Sequence, residues 1–300
     1  MTNRVDGQKK PLHIGKPSWL KTTIPTGKTY FDIKKDLRNR KLVTVCEEAK
    51  CPNIGQCWNT NTATFMILGD TCTRACRFCN VKTGNPAGLL DSQEPEQVAQ
   101  SCQSMGLKYV VITMVDRDDL PDGGAEHISR VLRQVREQNP DIKTELLAGD
   151  FNGRRAPLET ILAHTPEVYA HNLETVERLS PRVRDARASY WQSLESLSLY
   201  RSMAPSWVLT KSALMLGLGE SPDDVKQTLK DMRDHGVDLV TIGQYMRPGR
   251  QFLAVKEWVH PDQFKEYESY AKELGFKGVA SSPLVRSSYR AREFYESVLG

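Results

Sequence analysis

Six of the chain's seven cysteines stand in two short stretches, CEEAKCPNIGQC at 46–57 and CTRACRFC at 72–79. Each stretch holds three thiols, one short of the four ligands that close a tetrahedral site. The second follows directly on an apolar run of strand length, ATFMILG at 63–69, through Gly69 and Asp70. A loop at the C-terminal end of a parallel strand is where α/β barrels place their chemistry. The cysteines therefore constrain the fold as much as any core pattern does.

The rest of the chain supplies such a barrel. Strand-length apolar runs recur at 109–115, 142–148, 167–172, 210–216 and 239–246. Between them, 94–105, 125–138 and 223–235 carry apolar residues at spacings of three and four, which predicts amphipathic helices. Ser221-Pro222 marks the start of the last of these and Gly236 its end. Alternating strands and helices predict an α/β fold with a parallel sheet. Six units are too few for the closed eight-unit form, so the expectation is a partial (β/α)6 TIM-like barrel. Residues 1–62 and 277–300 stand outside the rhythm and read as N-terminal and C-terminal extensions of a barrel at 63–276. VASSPLVRSSYRA at 279–291 is rich in serine and reads as a loop.

No run approaches the ~20 apolar residues of a membrane span. The opening residues have no apolar segment of the secretory kind. The expected location is cytoplasmic, where clustered thiols indicate metal or redox chemistry rather than disulfides. Net charge is +4, weak support for a nucleic-acid partner. The excess is local: residues 1–41 hold eleven Lys or Arg against Asp6, Asp32 and Asp36. Such an arm either attracts an acidic protein or is a solvated tail.

Cys72, Cys76 and Cys79 have the spacing C-x3-C-x2-C. Structural zinc usually pairs two hooks and takes four protein ligands. Three thiolates on a four-iron cluster leave one iron open to a small molecule. A zinc knuckle or inert core cysteines are the bland alternatives. The spacing, its place after the first barrel strand and the aromatic Phe78 resemble the radical SAM superfamily. That resemblance implies a 4Fe–4S cluster whose open iron binds S-adenosyl-L-methionine, and a 5′-deoxyadenosyl radical formed on reduction. Gly123 and Gly124 in DDLPDGGAEH can admit a ligand to the backbone or simply start a helix. Asn172 and Glu174 in HNLETV can hydrogen-bond ribose hydroxyls or cap the next helix.

Cys46, Cys51 and Cys57 have the spacing C-x4-C-x5-C, with Pro52 and Gly55 turning the loop. Cys102, in VAQSCQSMG, reads as a core cysteine. One centre for all six thiols is possible, but the internal spacings suit two. Taken with VDRDDLPDGGAEH, HNLETV, TKSALMLGLGE, TIGQYMRP and VRSSYRA, the triads resemble the lipoyl synthase family. The match runs from KPSWLK at 16–21 to Ala291, with departures at Gln56, Ala213 and Arg290. The resemblance implies that Ser288, rather than its neighbour Ser287, is the fourth ligand of an auxiliary 4Fe–4S cluster. It also implies sulfur insertion at C6 and C8 of a protein-bound octanoyl-lysine, with that cluster as sulfur donor. Those carbons carry no acidic proton, so a radical is needed to open them, and sulfur must be held nearby to meet it. A serine oxygen is a harder ligand than thiolate, which suits a cluster that is consumed.

The implied partners are octanoylated lipoyl domains or the glycine cleavage H protein, with ferredoxin or flavodoxin as electron donor. Neither nucleic acid nor membrane is expected. Glu220, Gln244 and Arg247 are expected beside the cofactor or substrate. Met215 and Met246 read equally as core or as substrate wall. Arg286 and Tyr289 are expected to hold the serine loop. Rival readings are another radical SAM sulfur-inserting enzyme, one whose second cluster only relays electrons, and a zinc-binding interaction module.

Overall fold

The computed structural model describes residues 15–21, 27–40, 42–48, 51, 53–59 and 64–299. Much of the basic arm and Pro52 lie outside the described residues, as do the side chains of Gln56 and Asn59. Each expected run becomes a strand. They are β2 (Thr64–Ile67), β3 (Tyr109–Met114), β4 (Lys143–Leu147), β5 (Val168–Ala170), β6 (Leu209–Leu216) and β7 (Leu239–Gln244). A two-residue strand from the N-terminal stretch, β1 (Val43–Thr44), precedes them, and β8 (Gly278–Ser281) follows. The eight form one sheet in chain order, β1 to β8. Only β1 is antiparallel, with Val43 opposite Met66, so this part of the first 62 residues joins the sheet rather than standing outside it.

Helices cross between consecutive parallel strands: α2 (Glu94–Ser104), α3 (Ala125–Gln138), α4 (Arg155–Leu162), α5 (Tyr190–Met203), α6 (Pro222–Asp234) and α7 (Pro261–Glu273). One helix, α1 (Lys28–Asn39), precedes the sheet and another, α8 (Ala291–Leu299), ends the chain. The expected helix signals act as read. Ser221 caps α6 and forms a reciprocal capping box with Asp224, and Gly236 ends it at φ 79°. α3 turns Ile128, Val131, Leu132 and Val135 to the core. Each such side chain contributes roughly 1.5–3 kcal/mol by leaving water.

β8 corrects the reading of residues 279–291 as loop throughout. Gly278 to Ser281 pair in parallel with Leu239 to Ile242 of β7, giving a seventh parallel strand beyond the six units. Its sequence, GVAS, is short and built of small residues, so it lacks the apolar run that marks the others. The small residues are required by crowding. A Cβ at Gly278 would stand 2.8 Å from Val298 and 2.9 Å from Leu239.

The two ends of the sheet differ. At the N-terminal ends of the strands, Ala291 and Tyr295 of α8 pack over Tyr109, Val111, Val168, Leu209 and Leu239. Beneath them Lys211 pairs with Glu145 at 2.7 Å, and Tyr109 donates to the same carboxylate at 2.8 Å. That end is plugged. The C-terminal ends open into a cavity.

Candidate active site

The first triad hangs from the end of β2. Cys72 sits in a two-residue parallel ladder, opposite Thr83, and Gly84 N donates to Cys72 O at 2.9 Å. This closes the loop that carries Cys76 and Cys79. Arg74, inside the loop, points into the protein and is almost wholly buried. Its guanidinium meets Asp118 at 3.1 Å, Asp150 at 2.8 Å and Asn152 Oδ1 at 3.0 Å. On the outer side, Ala75 N donates to Asp185 at 2.7 Å, while Arg187 pairs with Asp185 at 2.8 Å and Asp118 at 3.3 Å. Burial pushes against ionisation of Asp150, but the hydrogen bond from Arg74 wins and holds it down at about 2. Asp116 is pushed up to about 6 by burial, against the pull of Arg74. None of these anchors was singled out from the sequence, although the acid-rich VDRDD after β3 was a usable signal.

The second triad is built from both extensions. Cys51 N donates to Cys46 O at 3.0 Å, and Cys57 N to Asn53 O at 3.0 Å, so the loop is two linked turns. Asn53 Nδ2 donates across the molecule to Leu284 O at 2.7 Å. This ties the cysteine loop to the serine loop between β8 and α8. The serine loop also rests on β7. A Cβ at Gly243 would meet Val285 O at 2.1 Å, so only glycine admits this approach. Asn53 carried no signal in sequence.

Both triads face one cavity of about 530 Å³, a size ordinary for small-molecule sites. Cys46 and Cys51 line it together with Cys72, Cys76 and Cys79. Met66, Met114, Leu214, Met215 and Met246 supply apolar wall, as one of the two readings of Met215 and Met246 expected. A small adjoining cavity is bordered by Cys46, Cys51, Cys57, Ser288, Arg286 and Tyr289. Ser287 and Ser288 both reach the large cavity, but Ser288 alone of the two also borders the small one.

Burial pushes Cys79 up to about 12, and the neighbouring Cys76 and Cys72 add to the rise. Burial likewise pushes Cys46 to about 12, with Cys51 and Cys57 adding. Within each triad the thiols thus act on one another, which suits two centres rather than one. Buried thiolates need a cation to compensate them, as the iron of a cluster would. Among the described residues, no three His, Cys, Asp or Glu side chains are gathered tightly enough to hold a single ion. Cys102 is fully buried in the core, as expected.

The other expected site residues divide. Phe78, Asn172 and Glu174 line the cavity. Asn172 Nδ2 donates to Glu174 at 3.1 Å, while its buried Oδ1 has no partner within the protein. Glu174 holds a left-handed backbone at φ 70°, and burial raises its carboxyl. An orphaned acceptor beside a desolvated carboxylate suits ligand hydroxyls. Neither residue caps the following 3-10 helix, whose N-cap is Val176. His171, beside them, is held neutral: burial and then Arg184 push it down to about 4.

Gly123 and Gly124 are absent from the cavity wall. They take left-handed φ of 66° and 89° at the start of α3, where a Cβ would strike Phe151 and Leu68. Their glycine is needed for packing and for starting the helix. Glu220 is also off the wall; its carboxylate accepts from the backbone N–H of Gly217 and Leu218 and shapes that turn. Gln244 reaches the wall, but its amide is spent on backbone. It donates to Leu216 O at 2.9 Å and Glu257 O at 3.0 Å, and accepts from Val259 N at 2.9 Å. Arg247 lines the cavity with its guanidinium turned to Phe252 O and Arg250 O. Arg286 is in place at the serine loop, donating to Val285 O at 2.7 Å.

Known proteins carry the same pattern. A family model described as the radical SAM superfamily matches residues 66–232, and one described as the N-terminal domain of lipoyl synthase matches residues 2–51. The lipoyl synthase of Thermus thermophilus is 52% identical over 289 residues, covering 96% of this chain and 89% of that protein. The mitochondrial lipoyl synthase of Culex quinquefasciatus is 52% identical over 297 residues, covering 97% and 77%. Among solved structures, the FeFe-hydrogenase maturase HydG from Carboxydothermus hydrogenoformans superposes with a TM-score of 0.59 at 12% identity, covering 90% of this chain and 61% of that one. Coproporphyrinogen III oxidase (HemN) from Escherichia coli, described as a radical SAM enzyme, gives 0.52 at 15% identity, covering 73% and 55%. At these identities the two structures speak for the fold alone.

Proposed function

The chain belongs to the lipoyl synthase family of the radical SAM superfamily, and from that premise we propose how its own residues divide the work. It is a sulfur-inserting enzyme that uses S-adenosyl-L-methionine and 4Fe–4S clusters and acts on lipoyl domains. In our reading Cys72, Cys76 and Cys79 hold one cluster, and Cys46, Cys51, Cys57 and Ser288 hold the other. When bound, the first cluster with S-adenosyl-L-methionine supplies hydrogen-atom abstraction, and the second supplies sulfur for C6 and C8 of the octanoyl chain. The protein's part is to bind, orient and exclude water.

Asn172 Oδ1 and Glu174 take hydroxyls of the adenosyl ribose; the orphaned acceptor supports this. Phe78 packs beside the same ligand. Met215, Met246 and Leu214 give the octanoyl chain a dry wall. Gln244, by tying the backbone of three segments together, keeps that wall closed. Ser288 offers an oxygen that releases iron more readily than a thiolate. Gly123, Gly124 and Glu220 act by shaping turns, outside the binding set. We propose a division into 1–62 with the auxiliary triad, 63–276 as barrel, and 277–300 carrying both the last strand and the serine.

Finer partners belong to the same proposal: the glycine cleavage H protein as an alternative carrier, and ferredoxin or flavodoxin as electron donor. Among the described residues no helix is long and apolar enough to cross a membrane. The thiol-rich site favours a reducing compartment, and the cytoplasm is our proposal.

The observation that carries the reading is that one cavity is walled by thiols from both triads. Anaerobic purification with iron and sulfide analysis tests it. The wild type should carry about eight irons, falling to about four when either triad is changed to alanine. Loss of the first triad should stop S-adenosyl-L-methionine cleavage; loss of the second should spare cleavage and stop sulfur insertion. Iron that vanishes from both sites in either variant would contradict two independent centres.

A further inference from the structure

The rim of the cavity carries positive charge that the protein does not neutralise. Arg77, Arg182 and Arg250 are exposed, and none has an ion-pair partner among the described residues. Hydrogen bonds to backbone carbonyls join the segments that carry them. Arg77 Nη1 donates to Arg182 O at 3.4 Å. Leu253 N donates to Arg77 O at 3.2 Å, joining the cysteine loop to the segment that follows β7. In that segment Arg247 holds Phe252 O and Arg250 O. Arg77 lies between two cavity-lining residues, Cys76 and Phe78, and Arg247 lines the cavity itself. The contrast with the neighbouring Arg187 is plain, since its charge is taken up by Asp185 and Asp118.

Three arginines without ion-pair partners on neighbouring segments make a locally positive surface. Such an arrangement is useful where an opposite charge arrives from outside. What must arrive here follows from the reaction and rests on the lipoyl synthase reading. The octanoyl chain enters the cavity on a lysine of a folded carrier. The arm is only a lysine side chain and an acyl chain long, so the carrier's own surface must abut the rim. We propose that Arg77, Arg182 and Arg250 form a docking surface for an acidic face of the carrier, made by the carboxylates that flank its modified lysine. The rim acts on encounter and orientation of the carrier domain, not on the bond-making steps inside the cavity.

The inference separates two substrates that share the same reacting atoms. One is an octanoylated lipoyl domain with acidic residues around its lysine; the other is a short octanoyl-lysyl peptide without charged side chains. With the intact clustered enzyme, Arg182→Glu combined with Arg250→Glu should raise KM for the domain about tenfold or more and leave kcat unchanged. KM for the peptide should stay within about twofold. Raising salt should increase the wild-type KM for the domain and lower that of the variant, whose reversed charges repel the acidic face. Replacing the domain's flanking acids with amides should reproduce the loss with wild-type enzyme. A reversal that leaves the ratio of the two KM values unchanged overturns the docking surface. If the wild type inserts sulfur into neither substrate, it is the lipoyl synthase reading that fails, and the docking surface falls with it.

Discussion

The two cysteine loops carry three thiols each and both reach the same cavity, yet the protein holds them in opposite ways. The first is clamped. Its own Arg74 is driven into a pocket of three carboxylates, and a second arginine locks its outer edge. Every part of that clamp comes from the barrel between β2 and α5. The second loop rests on contacts between distant parts of the chain, above all Asn53 to Leu284 O, a separation of 231 residues. Ser288, which we propose as its fourth ligand, lies on a loop seated on the bare backbone of Gly243. A centre that must survive many turnovers suits a rigid mount. A centre that gives up an atom at each turnover suits one whose walls can part.

Breaking the clamp should have the largest effect. Arg74→Met leaves buried Asp150 without its cation and half-buried Asp118 with Arg187 alone, which should lower stability by about 3–5 kcal/mol in anaerobic denaturant unfolding. Iron should be lost from the first site before the second. The pH dependence has a definite sign. The depressed Asp150 carboxyl contributes stability present above the ordinary carboxylate range and lost as pH falls through about 2. In the variant that acid-side contribution should be gone.

Gly243→Ala comes next. The added methyl has no room beside Val285 O, so the serine loop must shift at a cost of about 1–3 kcal/mol. Cleavage of S-adenosyl-L-methionine should persist while sulfur insertion falls, read by measuring both products in one assay. Asn53→Ala should have the smallest effect, about 1 kcal/mol for one lost hydrogen bond. It should appear as faster chelator removal of iron from the second site, with the first unchanged. Equal loosening of both sites would erase the contrast.

How much of this was readable in advance differs between the regions. Strands β2 to β7 show in sequence because burial on both faces demands apolar runs, and the helix at 222–234 shows by its cap. β8 is hidden because its crowded seat admits only small residues, which look like loop. The cysteines announce themselves, and resemblance supplies Ser288. What holds them is silent, because Arg74 looks like any surface arginine and Asn53 like any turn residue until the chain folds. Gly123 and Gly124 left two readings open for a related reason: positive φ is needed equally for turning a chain and for admitting a ligand.

The central claim is that the second triad holds the sulfur that meets the substrate. The direct measurement is to rebuild the clusters with heavy-isotope sulfide, remove free sulfide, and run a single turnover on an octanoylated lipoyl domain. Mass analysis of the product should find heavy sulfur at both positions, and none should be inserted by a variant lacking Cys46, Cys51 and Cys57. Product carrying ordinary sulfur, or heavy sulfur delivered without the second triad, would contradict the account.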